Sequence, residues 1–202
     1  MASSKTEIAN MALSHLGQGA EIANLDTENS EAANACRRFY ELAKDETIRD
    51  VKWPWATRFA ELGLVEEDPT EEWAYSYRYP TDCLTIRRIL SGSRNDSRQS
   101  RIPYKIVQDD SGLLVYTDLD NASIEYTVRE DNPGVYPVDF VAALSYKLAW
   151  YIAPRLTKSD PFNLRKTVAD SYAAAISKAA RNSFNEEQDE EPVQSEFVRA
   201  RE

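Results

Sequence analysis

Histidine is nearly absent from this sequence, and cysteine and glycine are scarce. One histidine, His15, and two cysteines, Cys36 and Cys83, stand among 202 residues. A lone histidine leaves no Ser-His-Asp or Cys-His arrangement and no multi-histidine metal site within one chain. Two distant cysteines make neither a disulfide framework nor a zinc pattern, and both read as buried thiols. His15 reads as a surface or helix-end residue. The glycines number six. The nearest approach to a phosphate loop, Gly17-Gln18-Gly19, lacks a following Lys-Ser/Thr and does not follow a strand. No apolar run approaches the roughly 20 residues of a membrane span. The opening residues carry no signal-peptide core, so the expectation is a chain made in a cytosol. No cofactor or metal is expected.

Hydrophobic residues make up 42% of the chain, enough for a globular core. Against 24 basic residues stand 34 acidic ones, for a net charge of −10. That balance argues against a dedicated nucleic-acid binder, whose affinity rests on clustered Lys and Arg.

Helical signals open the chain. Ser4 and Glu7 form a capping box ahead of Ile8, Met11, Ala12 and Leu16, and Gly17 stands where a helix ends. Asn29 or Ser30 caps a second, longer helix. Its apolar stripe includes Ala32, Cys36, Phe39, Tyr40, Ala43, Ile48 and Val51, and Pro54 stops it. The opposite face, with Arg37, Arg38, Glu41, Lys44, Asp45 and Glu46, reads as solvated or as local ion pairs. Between Trp55 and Val128 the period shifts towards two, in short β-rich runs bounded by Gly, Pro, Asp and Asn. These predict a small antiparallel sheet of about four to six strands. Residues 91–100 read as an exposed polar loop. Helices resume at Pro137, a plausible first helical residue, and the first of them ends at Pro154. Asp160-Pro161 starts the last helix, which runs to about Arg181, its Ala173-Ala174-Ala175 run suited to close packing.

The expected fold is therefore mainly helical α+β. Residues 1–54 and 135–183 form a four-helix bundle, residues 55–134 an inserted β module, and residues 184–202 a C-terminal arm. Residues 185–202 carry a net charge of −5, half of the total. Such a segment has too few apolar residues to order alone and reads as a frayed tail or an arm that folds on a partner.

Three constellations have a functional and a structural reading. Trp53-Pro54-Trp55, at the junction of helices and sheet, is either a stacking platform or a buried hinge. Glu66-Glu67-Asp68 with Glu71 and Glu72 is either an acid/base pair for glycoside hydrolysis or a solvated turn around Pro69. The basic stretch Arg87, Arg88, Arg94, Arg98, Arg101 and Lys105 is either a docking patch for an acidic surface or DNA phosphates, or a soluble loop.

The ordered motifs resemble a known family. Residues 7–17 (Glu-Ile-Ala-Asn-Met-Ala-Leu-Ser-His-Leu-Gly), residues 31–40, Trp53-Pro54-Trp55, residues 77–84, Ile124-Glu125-Tyr126 and residues 148–153 together resemble the head-to-tail adaptors, or tail tubular proteins, of tailed bacteriophages. The resemblance covers nearly the whole chain except the acidic tail. It implies a non-enzymatic virion protein that forms a ring, usually of twelve copies, between portal protein and tail, around the DNA exit channel. The implied partners are the portal protein, a tail nozzle or tube protein, further copies of the chain, and passing double-stranded DNA, with no membrane. It implies that the C-terminal segment, here Phe184, Val193, Phe197, Val198 and Arg199, reaches the portal. Arg94, Arg98 and Arg101 would meet a neighbouring subunit or the tail. The alternatives are a tail-associated cell-wall hydrolase using Asp/Glu and a DNA-contacting gatekeeper.

Overall fold

The structure, a computed structural model, describes residues 4–19, 21–92, 101–157 and 163–186. The chain divides into two compact units, Met1–Thr57 with Thr127–Phe184, and Arg58–Tyr126 with Asn185–Glu202.

The first unit is helical. Helix α1 (Lys5–His15) begins at a complete capping box, the Ser4 hydroxyl accepting from the Glu7 amide while the Glu7 carboxylate accepts from Ser4 N–H. It ends in a Schellman turn. Gly17 N–H donates to Ser14 O, Gln18 N–H donates to Leu13 O, and Gly17 takes φ +68°. Helix α2 (Glu31–Asp50) is capped by Ser30. Helix α3 (Val138–Leu156) packs on both α1 and α2. Ile8, Leu13, Tyr40, Ile48, Phe140, Leu144, Leu148 and Ile152 fill the space between these three helices, each at most 2% exposed. From α1, Asn10 mimics a strand towards the connection to α2. Its side chain accepts from Ile22 N–H and donates to Ile22 O, holding Ile22 in the core.

Helix α4 (Leu164–Glu186) runs antiparallel to α3, held chiefly by polar groups. Arg165 lies over the Trp150 ring, Lys147 over the Tyr172 ring, and Asn182 donates to Asp139. Its fully buried apolar residues are Val168 and Ala179, and Ala173 and Ala174 are exposed, contrary to the packing role expected of that run.

The second unit holds two antiparallel sheets. Among the described residues the strands are β1 (Thr57–Glu61), β2 (Leu64–Thr70), β3 (Trp73–Arg78), β4 (Cys83–Ile89), β5 (Lys105–Asp109), β6 (Gly112–Thr117) and β7 (Ser123–Val128). One sheet has the order β1-β7-β4 and the other β2-β3-β6-β5. In the second, Leu64, Tyr77, Val115 and Ile106 align across all four strands. Arg78 on β3 reaches across β6 to make a two-pronged pair with Asp109 at 3.0 and 3.1 Å.

This corrects the expected fold. Seven strands spread from Thr57 to Val128 make two sheets, not one small module, and the helical part is three closely packed helices with α4 held mainly by polar contacts. The strand least marked in the sequence is β2. It is an edge strand, exposed along nearly its whole length, so it needs no apolar alternation, and its carboxylates are of the kind that deter edge-to-edge pairing. Smaller corrections concern helix ends. Pro137 is the N-cap of α3 and not its first residue, and Pro154 lies inside the final turn. The Thr157 amide and hydroxyl both donate to Ala153 O, closing the helix beyond the proline. Helix α4 extends past Arg181 to Glu186, while the start expected at Asp160-Pro161 lies outside the described residues.

Candidate functional site

Helix α2 presents three different chemistries along its length. Near its middle, Lys44 is fully buried, where the sequence pattern reads a solvated residue or a local ion pair; the pair forms, but under cover. Its ammonium donates to Glu41 at 2.5 Å and to Asp131, which follows β7. Arg129 pairs with Asp45 at 2.7 Å, and Lys5 of α1 also reaches Glu41. Burial pulls the Lys44 ammonium down, but hydrogen bonds to Asp131 and Glu41 outweigh it and leave it above the ordinary lysine value. The Lys44 contact is the main reason that Asp131 stays below the usual carboxylate range. Glu41 is pushed up by burial, yet the Lys44 and Lys5 hydrogen bonds bring it below as well.

Carboxylates held low stabilise the fold at neutral pH and lose that contribution as pH falls through the carboxylate range. The raised ammonium contributes below its unfolded value and loses that only as pH rises past the ordinary lysine range. Lys44→Met keeps the stem and removes the charge. It is expected to lower stability by about 1 kcal/mol at pH 7, the two carboxylates being largely solvated. The difference from wild type should shrink as pH falls through and below the ordinary carboxylate range. Urea unfolding across pH 3–8 checks this.

At the C-terminal end of α2, the tryptophan pair is part of the core. Trp53 is 1% exposed and donates its indole N–H to Thr47 O at 3.0 Å. It meets Phe140 edge-on at 5.2 Å, and Trp55 and Tyr136 pack on the same Phe140 ring. With Trp53 buried, its ring is not free to stack on a base, so the platform reading has no support. Pro54 opens a single 3-10 turn.

At the N-terminal end of α2, the side chains of Asn34, Arg37 and Arg38 and, from the last turn of α3, Arg155 line an open cleft of about 430 Å³. Arg37 is committed to the fold. It donates to Leu25 O, Glu28 O and the Asn34 carboxamide, fastening the connection between α1 and α2. Arg38 and Arg155 are exposed, with no hydrogen bond or ion pair to a described residue. The cleft is lined by three arginines and an asparagine, drawn from two helices far apart in sequence. The sequence pattern reads Arg37 and Arg38 as solvated or as partners in local ion pairs and attaches nothing to Arg155.

The other expected residues disperse. Glu66, Glu67 and Asp68 lie exposed on β2, and Glu71 and Glu72 sit exposed in the turn before β3, so no cleft encloses an acid/base pair. In the basic stretch, Arg88 is bound to Glu125 at 2.5 Å, while Arg101 and Lys105 are exposed. Arg94 and Arg98 lie outside the described residues, as do Val193, Phe197, Val198 and Arg199 and the side chain of Phe184. His15 does end a helix but is half-buried, stacked on Tyr146 at 3.9 Å, with Nε2 3.0 Å from Ser145 Oγ. The Ser145 hydroxyl donates to Ala142 O, which leaves its oxygen to accept from Nε2–H. Burial lowers the His15 pKa. Cys36 is buried and its thiol pushed up to about 12 by desolvation. Cys83 is only half-buried and donates to the Tyr79 hydroxyl.

The β unit also leaves large apolar side chains in water. Phe59, Leu64, Val65, Ile106 and Leu113 are each at least 43% exposed. Leu64 and Ile106 are the two ends of the cross-strand row whose middle, Tyr77 and Val115, is buried. Among the described residues no group of His, Cys, Asp and Glu is placed to hold a metal ion, and no helix is long and apolar enough to cross a membrane. No family model and no curated protein matches the chain.

Proposed function

We propose that this chain is a structural virion protein, a head-to-tail adaptor of a tailed bacteriophage. It forms a ring, of about twelve copies by the family resemblance, that joins the portal to the tail around the DNA exit channel. The observation that carries the reading is the set of exposed apolar side chains on the β unit, Phe59, Leu64, Val65, Ile106 and Leu113. A monomer gains nothing by leaving them in water, whereas a subunit that uses two different faces for its two neighbours does. The candidate carboxylates, dispersed on an edge strand and a turn, give the hydrolase reading no comparable support. The acidic net charge is compatible with a wall past which a duplex slides without sticking.

The test is the mass of the purified protein in solution with and without its cognate portal, over a range of salt. A portal-bound ring is expected. No ring and no portal-bound species under any condition would overturn the proposal. Truncation after Ser183 is expected to leave the helical unit folded and abolish portal binding. Unchanged binding by the truncated chain would remove the arm from the account.

A further inference from the structure

The cleft between α2 and α3 leaves two cations unspent in a strongly acidic protein. Arg38 and Arg155 face solvent without an ion partner among the described residues, and the cleft they line with Asn34 and Arg37 is open. Guanidinium pairs of this kind match carboxylates well, because each fork can take two oxygens at once. The same chain carries a dense run of carboxylates just past the end of α4, in Glu187, Asp189, Glu190 and Glu191.

The geometry of the helical unit separates these two features. Helix α4 runs antiparallel to α3, with Arg165 over Trp150 and Asn182 bonded to Asp139. The end of α4 therefore lies beside the start of α3, while Arg155 lies at the other end. The stretch of α3 from Asp139 to Arg155 spans about 24 Å, and α4 continues about 6 Å further away beyond Asn182. From Glu186 to Glu191 the backbone reaches at most about 18 Å. Even drawn out straight along α4, the acidic run of a chain comes no nearer than about 12 Å, backbone to backbone, to that chain's own Arg155. A second copy has no such limit.

We infer that the Arg38/Arg155 cleft receives the acidic run Glu187–Glu191 of a neighbouring copy. The end of α4 and the cleft lie at opposite ends of the α3/α4 pair, so the contact would be heterologous and propagate from copy to copy until rotation closes it. The inference rests on the ring reading and deepens it. It divides residues 187–202 into an acidic part that joins copies and a later part, Val193 to Arg199, left for the portal.

The experiment uses the full chain and a fluorescent peptide of residues 184–202. The peptide is expected to bind the wild-type chain, and R38E/R155E should weaken it at least tenfold, as should raising salt from about 50 to 300 mM. Sedimentation of the full chain should show self-association that R38E/R155E abolishes. A charge-reversed tail, E187K/D189K/E190K, should restore association to R38E/R155E. Circular dichroism confirms that the variants fold, which two exposed surface positions should permit. Equal peptide binding by wild type and R38E/R155E, no peptide binding at low salt, or self-association indifferent to both sets of charges would each overturn the inference. So would binding of duplex DNA to these arginines in place of the peptide. Portal binding is measured on the same samples. Its loss with self-association intact would count against the adaptor reading and leave the cleft's occupant standing.

Discussion

Trp53→Ala is expected to remove about 4 kcal/mol from the stability of the helical unit, enough to leave a marginal fold. The indole is 1% exposed and fills the space against Phe140, so truncation opens a cavity that Trp55 and Tyr136 cannot fill while packed on the other sides of that ring. A second loss adds to the first. Thr47 O is one of the last four carbonyls of α2, which have no partner within the helix, and Trp53 N–H is its hydrogen-bond donor. Trp53→Phe separates the two effects. It keeps an aromatic body, loses the N–H and leaves a smaller void, for a loss of about 1–2 kcal/mol. Urea denaturation followed by far-ultraviolet circular dichroism measures both. An alanine variant within about 1 kcal/mol of wild type would show that the aromatic cluster does not anchor α2 to α3.

Arg88→Ala is expected to cost the β unit about 3 kcal/mol, even though arginine is the more exposed partner. Glu125 sits in the middle of β7, the central strand of its sheet, and is 2% exposed. Arg88 on the neighbouring β4 places Nε 2.5 Å from its carboxylate. Without the guanidinium the carboxylate stays buried, having lost its closest cation. The penalty belongs to the stranded charge more than to the lost attraction. R88M/E125L should therefore recover most of the loss, the two residues being close enough to couple strongly. Unfolding of the four chains of the double-mutant cycle tests this. A coupling energy below about 0.5 kcal/mol would contradict it.

Features set by neighbours along the chain were legible in the sequence. Ser4, Ser30 and Gly17 act within four residues of themselves; Ser4 and Gly17 occupy the caps expected of them, and of Asn29 and Ser30 it is Ser30 that caps α2. Most strands carry β-branched or aromatic residues in the short runs that the sequence shows between Trp55 and Val128. Strand β2 is defined by its pairing with β3 and not by its own composition. Lys44 makes the local pair with Glu41 that α2 suggests, yet its burial is not written on that helix. Its burial depends on Asp131, which arrives from beyond β7, and nothing on α2 announces it. Pro154 carried a real signal against helix, but in the last turn few bonds remain to break. The cleft was invisible in sequence because Arg38 and Arg155 meet only after α2 and α3 pack antiparallel, as the stacking of Phe39 on Tyr151 shows. Acidic and basic runs are conspicuous in a sequence, whereas a site assembled from single residues on separate helices is not.

The way α4 is fastened has a bearing on the order in which the protein comes apart. Val168 and Ala179 bury little oil, and the grip includes Arg165 on Trp150, Lys147 on Tyr172, the Tyr172 hydroxyl on Asp50 and Asn182 on Asp139. Undocking such a helix uncovers little apolar surface, so it opens well below the free energy of global unfolding, leaving the other three intact. Salt loosens a grip made of charges, while an apolar seam would tighten. Helix α4 is thus a latch, and ionic strength is the hand on it.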